Sequence, residues 1–129
     1  MQTMTKTVHL HAAREKVFGY LSNIENLPEW AVSFCTELKR EGDDYKVVNP
    51  GGELYFTIDA NEATGVVDMI AGPQKDMMGA WPGRVMELPD GTSLFAFTCV
   101  KCPEISNEEF AQQCASIDEE LEILNKTFA

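Results

Sequence analysis

The sequence predicts an α+β domain in which seven antiparallel strands face one long C-terminal helix, with two short helices after the first strand. Three observations carry this reading. The stretch Ser106 to Ala129 places Phe110, Cys114, Ile117, Leu121, Leu124 and Phe128 at alternating spacings of four and three, one apolar stripe along a helix of roughly 35 Å. From Ser33 to Lys101 the chain reads almost wholly as strand, cut by turn chemistry. Between these regions and the first strand, Ala12 to Ala31 has helical spacing. A stripe this long needs a broad surface, and a sheet is what the rest of the chain offers.

Taken in order, Thr5 to His11 alternates, with Val8 and Leu10 on one face and Thr7, His9 and His11 on the other. Ala12 to Asn23 gathers Val17, Phe18 and Leu21 on a helical face, and Ile24 to Ala31 does the same with Ile24, Leu27 and Trp30, Pro28 lying in the first turn. The six further strands are Phe34 to Arg40, Tyr45 to Val48, Leu54 to Ala60, Val66 to Ala71, Trp81 to Leu88 and Ser93 to Val100. Turns fall at Glu41 to Asp44, Asn49 to Gly52, Asn61 to Gly65 and Pro89 to Thr92, with a longer connection from Gly72 to Gly79. Ser106 with Glu109 makes a capping box for the last helix, and Pro103 keeps the preceding strand out of it.

Centring each hairpin on its turn fixes a register, because paired residues on adjacent strands point the same way. It sets Leu38 opposite Val47, Val47 opposite Leu54, Ile58 opposite Asp68, Asp68 opposite Arg84, and Arg84 opposite Phe97. The face so defined is apolar, including Phe34, Phe56, Val66, Ile70, Met86, Phe95 and Cys99; its polar members are Thr36, the Tyr45 hydroxyl and the pair Asp68 with Arg84.

At 129 residues the chain reads as one domain, 1–129, able to bury a core without metal or disulfide. A net charge of -11 opposes a nucleic-acid or anionic-membrane partner. No stretch approaches the ~18 apolar residues of a membrane span. With no export signal after Met1, a cytoplasmic protein with Cys35, Cys99, Cys102 and Cys114 as free thiols is expected.

The ordered pattern resembles the START-like (SRPBCC) superfamily, and within it the polyketide cyclase/dehydrase-like lineage. The residues concerned are His11 to Phe18 (HAAREKVF), Leu21 to Trp30 (LSNIENLPEW), Gly65 to Asp68 (GVVD), Arg84-Val85, Glu108 to Ala111 (EEFA) and Asp118 to Leu121 (DEEL). The resemblance spans essentially the whole chain, and it is the order of these degenerate motifs that is specific. It implies a helix-grip fold, the sheet curled around the C-terminal helix with a cavity between them. Many members bind lipids, polyketides, hormones or other apolar molecules there, and others are cyclases. The paired Cys-x-His motifs of a Rieske cluster are missing, so no oxygenase role carries over.

Asp68 with Arg84 is the foremost candidate site. An inward carboxylate and guanidinium must pair to be tolerated, either as a structural device that fixes the register or as the polar anchor of a ligand. Trp30 and Trp81 lie at element ends, where an indole lines a pocket mouth or covers the end of a core. Met69, Met77, Met78 and Met86 are adaptable apolar lining or simple core filler. His9 and His11 have a chelating spacing but point outward without a third ligand, and the Cys99/Cys102 spacing ends a strand where a redox motif opens a helix. The Gly72 to Gly79 loop is either a cover for the cavity or an ordinary connection.

The leading expectation is binding of a hydrophobic or aromatic small molecule between sheet and helix. Tyr45, Phe56, Met86, Phe97, Trp81 and Trp30 would supply contact and Asp68 and Arg84 the anchor. One alternative is a cyclase or dehydratase with Asp68 as general acid or base and Arg84 beside it, although an adjacent arginine favours lasting ionisation. Another is an interaction module with a filled interior. No cofactor or metal is expected; a homodimer stays open, and neither nucleic acid nor membrane insertion is expected.

Overall fold

The computed structural model describes residues 1–129. Strand β1 (Thr3–Leu10) leads into helix α1 (Arg14–Ser22), a 3-10 turn (Ile24–Asn26) and helix α2 (Leu27–Trp30). Then come β2 (Glu37–Glu41), β3 (Asp44–Asn49), β4 (Gly52–Asn61), β5 (Val66–Gln74), β6 (Met77–Trp81), β7 (Gly83–Glu87), β8 (Ser93–Val100) and the closing helix α3 (Asn107–Thr127). All pairings are antiparallel, in the order β1-β8-β7-β5-β4-β3-β2 with β6 on β5. The α+β arrangement of sheet, short helices and long C-terminal helix is therefore as the sequence predicts.

The sheet has eight strands where seven are expected, and the difference lies in the Gly72 to Gly79 segment. It is no open loop: β5 continues to Gln74, reverses at Lys75-Asp76 and returns as β6. Gly72 makes the tight reversal possible, since a Cβ there would sit 1.9 Å from the Met77 carbonyl oxygen. The expected strand Trp81 to Leu88 then divides at Pro82, which has no N–H for the ladder. Past that break the chain changes partner, from β6 on β5 to β7 on β8.

Two hairpins also differ in register. The β2–β3 and β3–β4 pairings stand as expected, with Leu38 opposite Val47 and Val47 opposite Leu54. Between β4 and β5, however, Ile58 faces Met69, and Asp59 faces Asp68. The turn is one residue shorter than the one assumed: the Asn61 carbonyl accepts from Gly65 N–H at 2.8 Å, and Gly65 closes the loop at φ 79°. Between β7 and β8, Arg84 faces Ala96 while Gly83 faces Phe97, because Leu88 joins the turn by donating to the Thr92 carbonyl at 2.8 Å. A slip of one reverses a strand's faces, so on β5 and β7 the inner residues are Val67, Met69, Gly83 and Val85, all buried.

One contiguous core joins the inner sheet face to the helices. Every stripe residue of α3 is buried in it, Phe110, Cys114, Ile117, Leu121 and Leu124, and so is Phe128, which caps the helix. The Ser106–Glu109 capping box forms with both of its hydrogen bonds. Helix α3 runs close along β1 and against α2, and α1 packs over β4, β5 and β7.

Candidate functional site

Cross-strand pairing writes two rows onto the inner face of the sheet. Tyr45, Phe56, Ala71 and Gly79 form one from β3 to β6, and Ile58, Met69 and Trp81 form the next. Phe56 and Met69 are buried, while Tyr45, Leu54, Ile58, Ala71 and Trp81 are only half-buried. Toward β8 the face is closed by aromatic packing. Phe95 is fully buried, with Phe97 tilted on it at 5.7 Å and the Trp30 ring edge-on at 6.4 Å. Trp81 lies on Phe97 at 5.9 Å, and its indole N–H donates to the Val100 carbonyl at 3.0 Å. Tyr45 donates its hydroxyl to Glu25 Oε1 at 2.8 Å.

Five of the expected site residues thus gather on or behind this inner face: Tyr45, Phe56, Phe97, Trp81 and Trp30. The other three do not. Met86 shares the outer face with Leu94. Asp68 and Arg84 also point outward, and they form no ion pair with each other. Asp68 Oδ1 accepts from Gly83 N–H at 3.2 Å, and Arg84 Nε donates to the Thr64 carbonyl at 3.3 Å. The reason is the register: their strands are turned over relative to the expected pairing, and an outer face leaves both charges in reach of water.

The interior does contain one ionisable group, and it comes from the helix. Glu120 is 1% exposed. It stands three residues after Ile117 and four before Leu124, on the buried stripe itself. An acidic residue at core spacing is a legible signal, and a reading confined to apolar positions passes over it. Its Oε2 accepts two backbone N–H groups, Ser33 and Phe34, each at 3.2 Å, while Oε1, with no donor in the protein, keeps the group's small contact with solvent. Burial pushes the carboxyl up from 4.5 to about 7, against the two amides, which favour the charged form.

Ser33 and Phe34 belong to a strap between α2 and β2, closed on itself by Cys35 N–H donating to the Ala31 carbonyl at 2.7 Å. The far side of the strap is tied to β3: Thr36 donates both N–H and Oγ1 to the Val48 carbonyl, and Asn49 Nδ2 donates to the Phe34 carbonyl at 3.0 Å. The Phe34 ring lies on Phe56 at 5.7 Å. The strap therefore bridges helix and sheet above the inner rows, held to the helix through Glu120.

Cys35 and Cys99 lie near this acid and are buried. Desolvation, with Glu120 and Glu37 adding, pushes the Cys35 thiol up to about 11; desolvation, with Cys114 next, pushes Cys99 up to about 12. Both act as small neutral core groups. Cys102 is exposed beside Glu104, and all four cysteines are free. His9 and His11 lie on the surface, rings 4.6 Å apart, with His9 Nε2 2.7 Å from Thr92 Oγ1. A separate open groove of about 570 Å³ runs between the start of β1 and the first half of α3, lined in part by Met4, Phe110 and Cys114. No helix is long and apolar enough to cross a membrane.

No family model matches the sequence. No curated protein matches it either. Solved structures do match over nearly the full length of both chains. The protein XoxI from Bacillus cereus is 17% identical with a TM-score of 0.77, covering 99% of this chain and 96% of its own. The Aha1 dimer from Colwellia psychrerythraea is 16% identical with a TM-score of 0.74, covering 99% and 96%. A START superfamily protein from Mycobacterium smegmatis is 15% identical with a TM-score of 0.66, covering 98% and 96%. At such identities the likeness is one of fold, and it agrees with the strand order and the placement of the helices. The chain has the START-like, SRPBCC-type fold.

Proposed function

We propose that this protein binds a small hydrophobic or aromatic molecule against the inner face of β3 to β6, beneath the strap and beside α3. One observation carries the reading: the apolar rows continue from the buried core into Ile58, Ala71 and Trp81, with Leu54 opposite Val47 on the same face, and all four are only half-buried. Contiguous apolar surface of this kind, next to a rigid aromatic core, is what a ligand of that class covers. Phe56 and Trp81 supply flat contact area, and Tyr45 supplies a hydroxyl at the open end. The lipid- or polyketide-like character of the ligand is taken from the sequence resemblance.

Asp68 and Arg84 leave this proposal as ligand contacts, and the inner-face residues take their place.

Native mass spectrometry of the purified protein, with titration by the uncharged dye Nile red, tests the binding. A co-purifying apolar molecule and dye binding abolished by Ile58→Glu are expected. The control Ile70→Glu, on the outer face opposite Thr57, leaves binding intact. Equal loss or equal retention of binding in both variants defeats the placement.

A further inference from the structure

Glu120 has geometry that the binding reading alone does not use. An acid 1% exposed is costly to ionise unless a cation or a full set of donors meets it. Here two amides converge on a single oxygen, and no cation pairs with the group. The groups around it are acids and thiols. On α3 the neighbour is Glu119, from the strap come Cys35 and, beyond it, Glu37, and from β8 comes Cys99, which adjoins Cys114. From β1, Lys6 reaches the Cys99 neighbourhood, but its ammonium is held by Asp118 at 2.7 Å.

We infer that Glu120 is a proton-controlled latch: while the acid is neutral the Ala31–Thr36 strap stays shut against α3, and once it ionises the carboxylate's need for water outweighs its stronger hold on the two amides, parts the strap from the helix and opens the inner face. This rests on the binding reading for its purpose and on the strap geometry for its mechanism. The strap has one releasable side. Its bonds to β3 run through Thr36 and Asn49 and involve no titrating group, whereas both bonds from Ser33 and Phe34 to the helix end on Glu120. Opening hydrates the carboxylate and parts the strap from α3 while it stays tethered to β3.

The direction follows from linkage. In the closed state the carboxyl holds its proton up to about pH 7, and in an open, hydrated state it ionises near 4.5. The open state therefore gains weight as pH rises between these values and levels off above them.

Amide hydrogen exchange read by NMR tests this directly. After correction for intrinsic exchange, protection of the Ser33 and Phe34 amides falls about 100-fold between pH 4.5 and 7.5 in the wild type. In Glu120→Gln, which keeps the acceptor oxygen and cannot ionise, it stays constant. Nile red binding rises over the same range in the wild type alone. Protection that does not change with pH in the wild type, or that is no weaker than that of the core amide of Val85, which donates to the Gly65 carbonyl and opens only with the whole fold, overturns the latch whatever the dye does. Protection that falls as stated, with no dye binding at any pH, supports the latch and sinks the ligand reading instead.

Discussion

Replacing Glu120 with glutamine isolates the energetic consequence of burying an acid among amides and thiols. The carboxyl is raised on folding, from 4.5 to about 7, chiefly by desolvation. A group raised in this way contributes stability fully below the lower value and loses it as pH climbs to the upper one. The elevation corresponds to about 3 kcal/mol at 1.36 kcal/mol per pH unit. Wild-type protein therefore loses about 3 kcal/mol from this group between pH 4.5 and 7.5, whereas Glu120→Gln loses none from it. The variant retains an oxygen for Ser33 and Phe34, and its new amide donors cost about 1 kcal/mol at every pH if they stay unpaired. Urea unfolding of both proteins across this range is the assay, and the useful quantity is the variant-minus-wild-type difference, because the other carboxylates and the net charge of -11 are nearly common to both. That difference should move in the variant's favour by about 3 kcal/mol, equivalent to roughly 10 °C in Tm. A difference that stays flat with pH refutes the account of Glu120 as a buried acid whose desolvation outweighs its two amide donors.

Other outcomes follow from the same structure. Ile117→Ala and Leu121→Ala, both within the buried stripe, each lower unfolding free energy by about 2–5 kcal/mol in denaturant titration. Asp68→Asn keeps an acceptor for Gly83 N–H and is near neutral, while Asp68→Ala leaves that amide unpaired and costs about 1–3 kcal/mol; neither changes Nile red binding. Gly83→Ala drives a Cβ to 2.5 Å from the Val67 carbonyl oxygen and against the Phe95 ring, so thermal unfolding should show a loss of about 1–3 kcal/mol. Trp81→Phe removes the bond to the Val100 carbonyl and lowers stability by about 1 kcal/mol while preserving the ring contact with Phe97.

The sites that sequence reasoning places well and badly differ in what sets them. Phe56, Phe97 and Trp81 are large apolar or amphipathic residues that burial pulls inward, and all three lie on the inner face. Asp68 and Arg84 depended on counting through two turns, at Gly65 and at Leu88, where a single residue decides which way a strand faces. Turn length is chosen by which amide meets which carbonyl in three dimensions, and glycine and asparagine permit more than one answer. Glu120 was legible from its spacing but not from its residue type, because acids at core positions are rare enough to be read as solvated.

By itself, the sequence determined what depends on local period and composition: the α3 stripe and its capping box, the change from strand to helix after β1, the β2–β3 and β3–β4 hairpins, and the class of fold. These features rest on interactions between residues close along the chain. Only the tertiary structure decided the β4–β5 and β7–β8 registers, the break at Pro82 that makes an eighth strand, and the meeting of Glu120 with Ser33 and Phe34. That last contact joins residues more than eighty positions apart. Its geometry is set by how α3 lies along β1 and α2, and no local pattern encodes that packing.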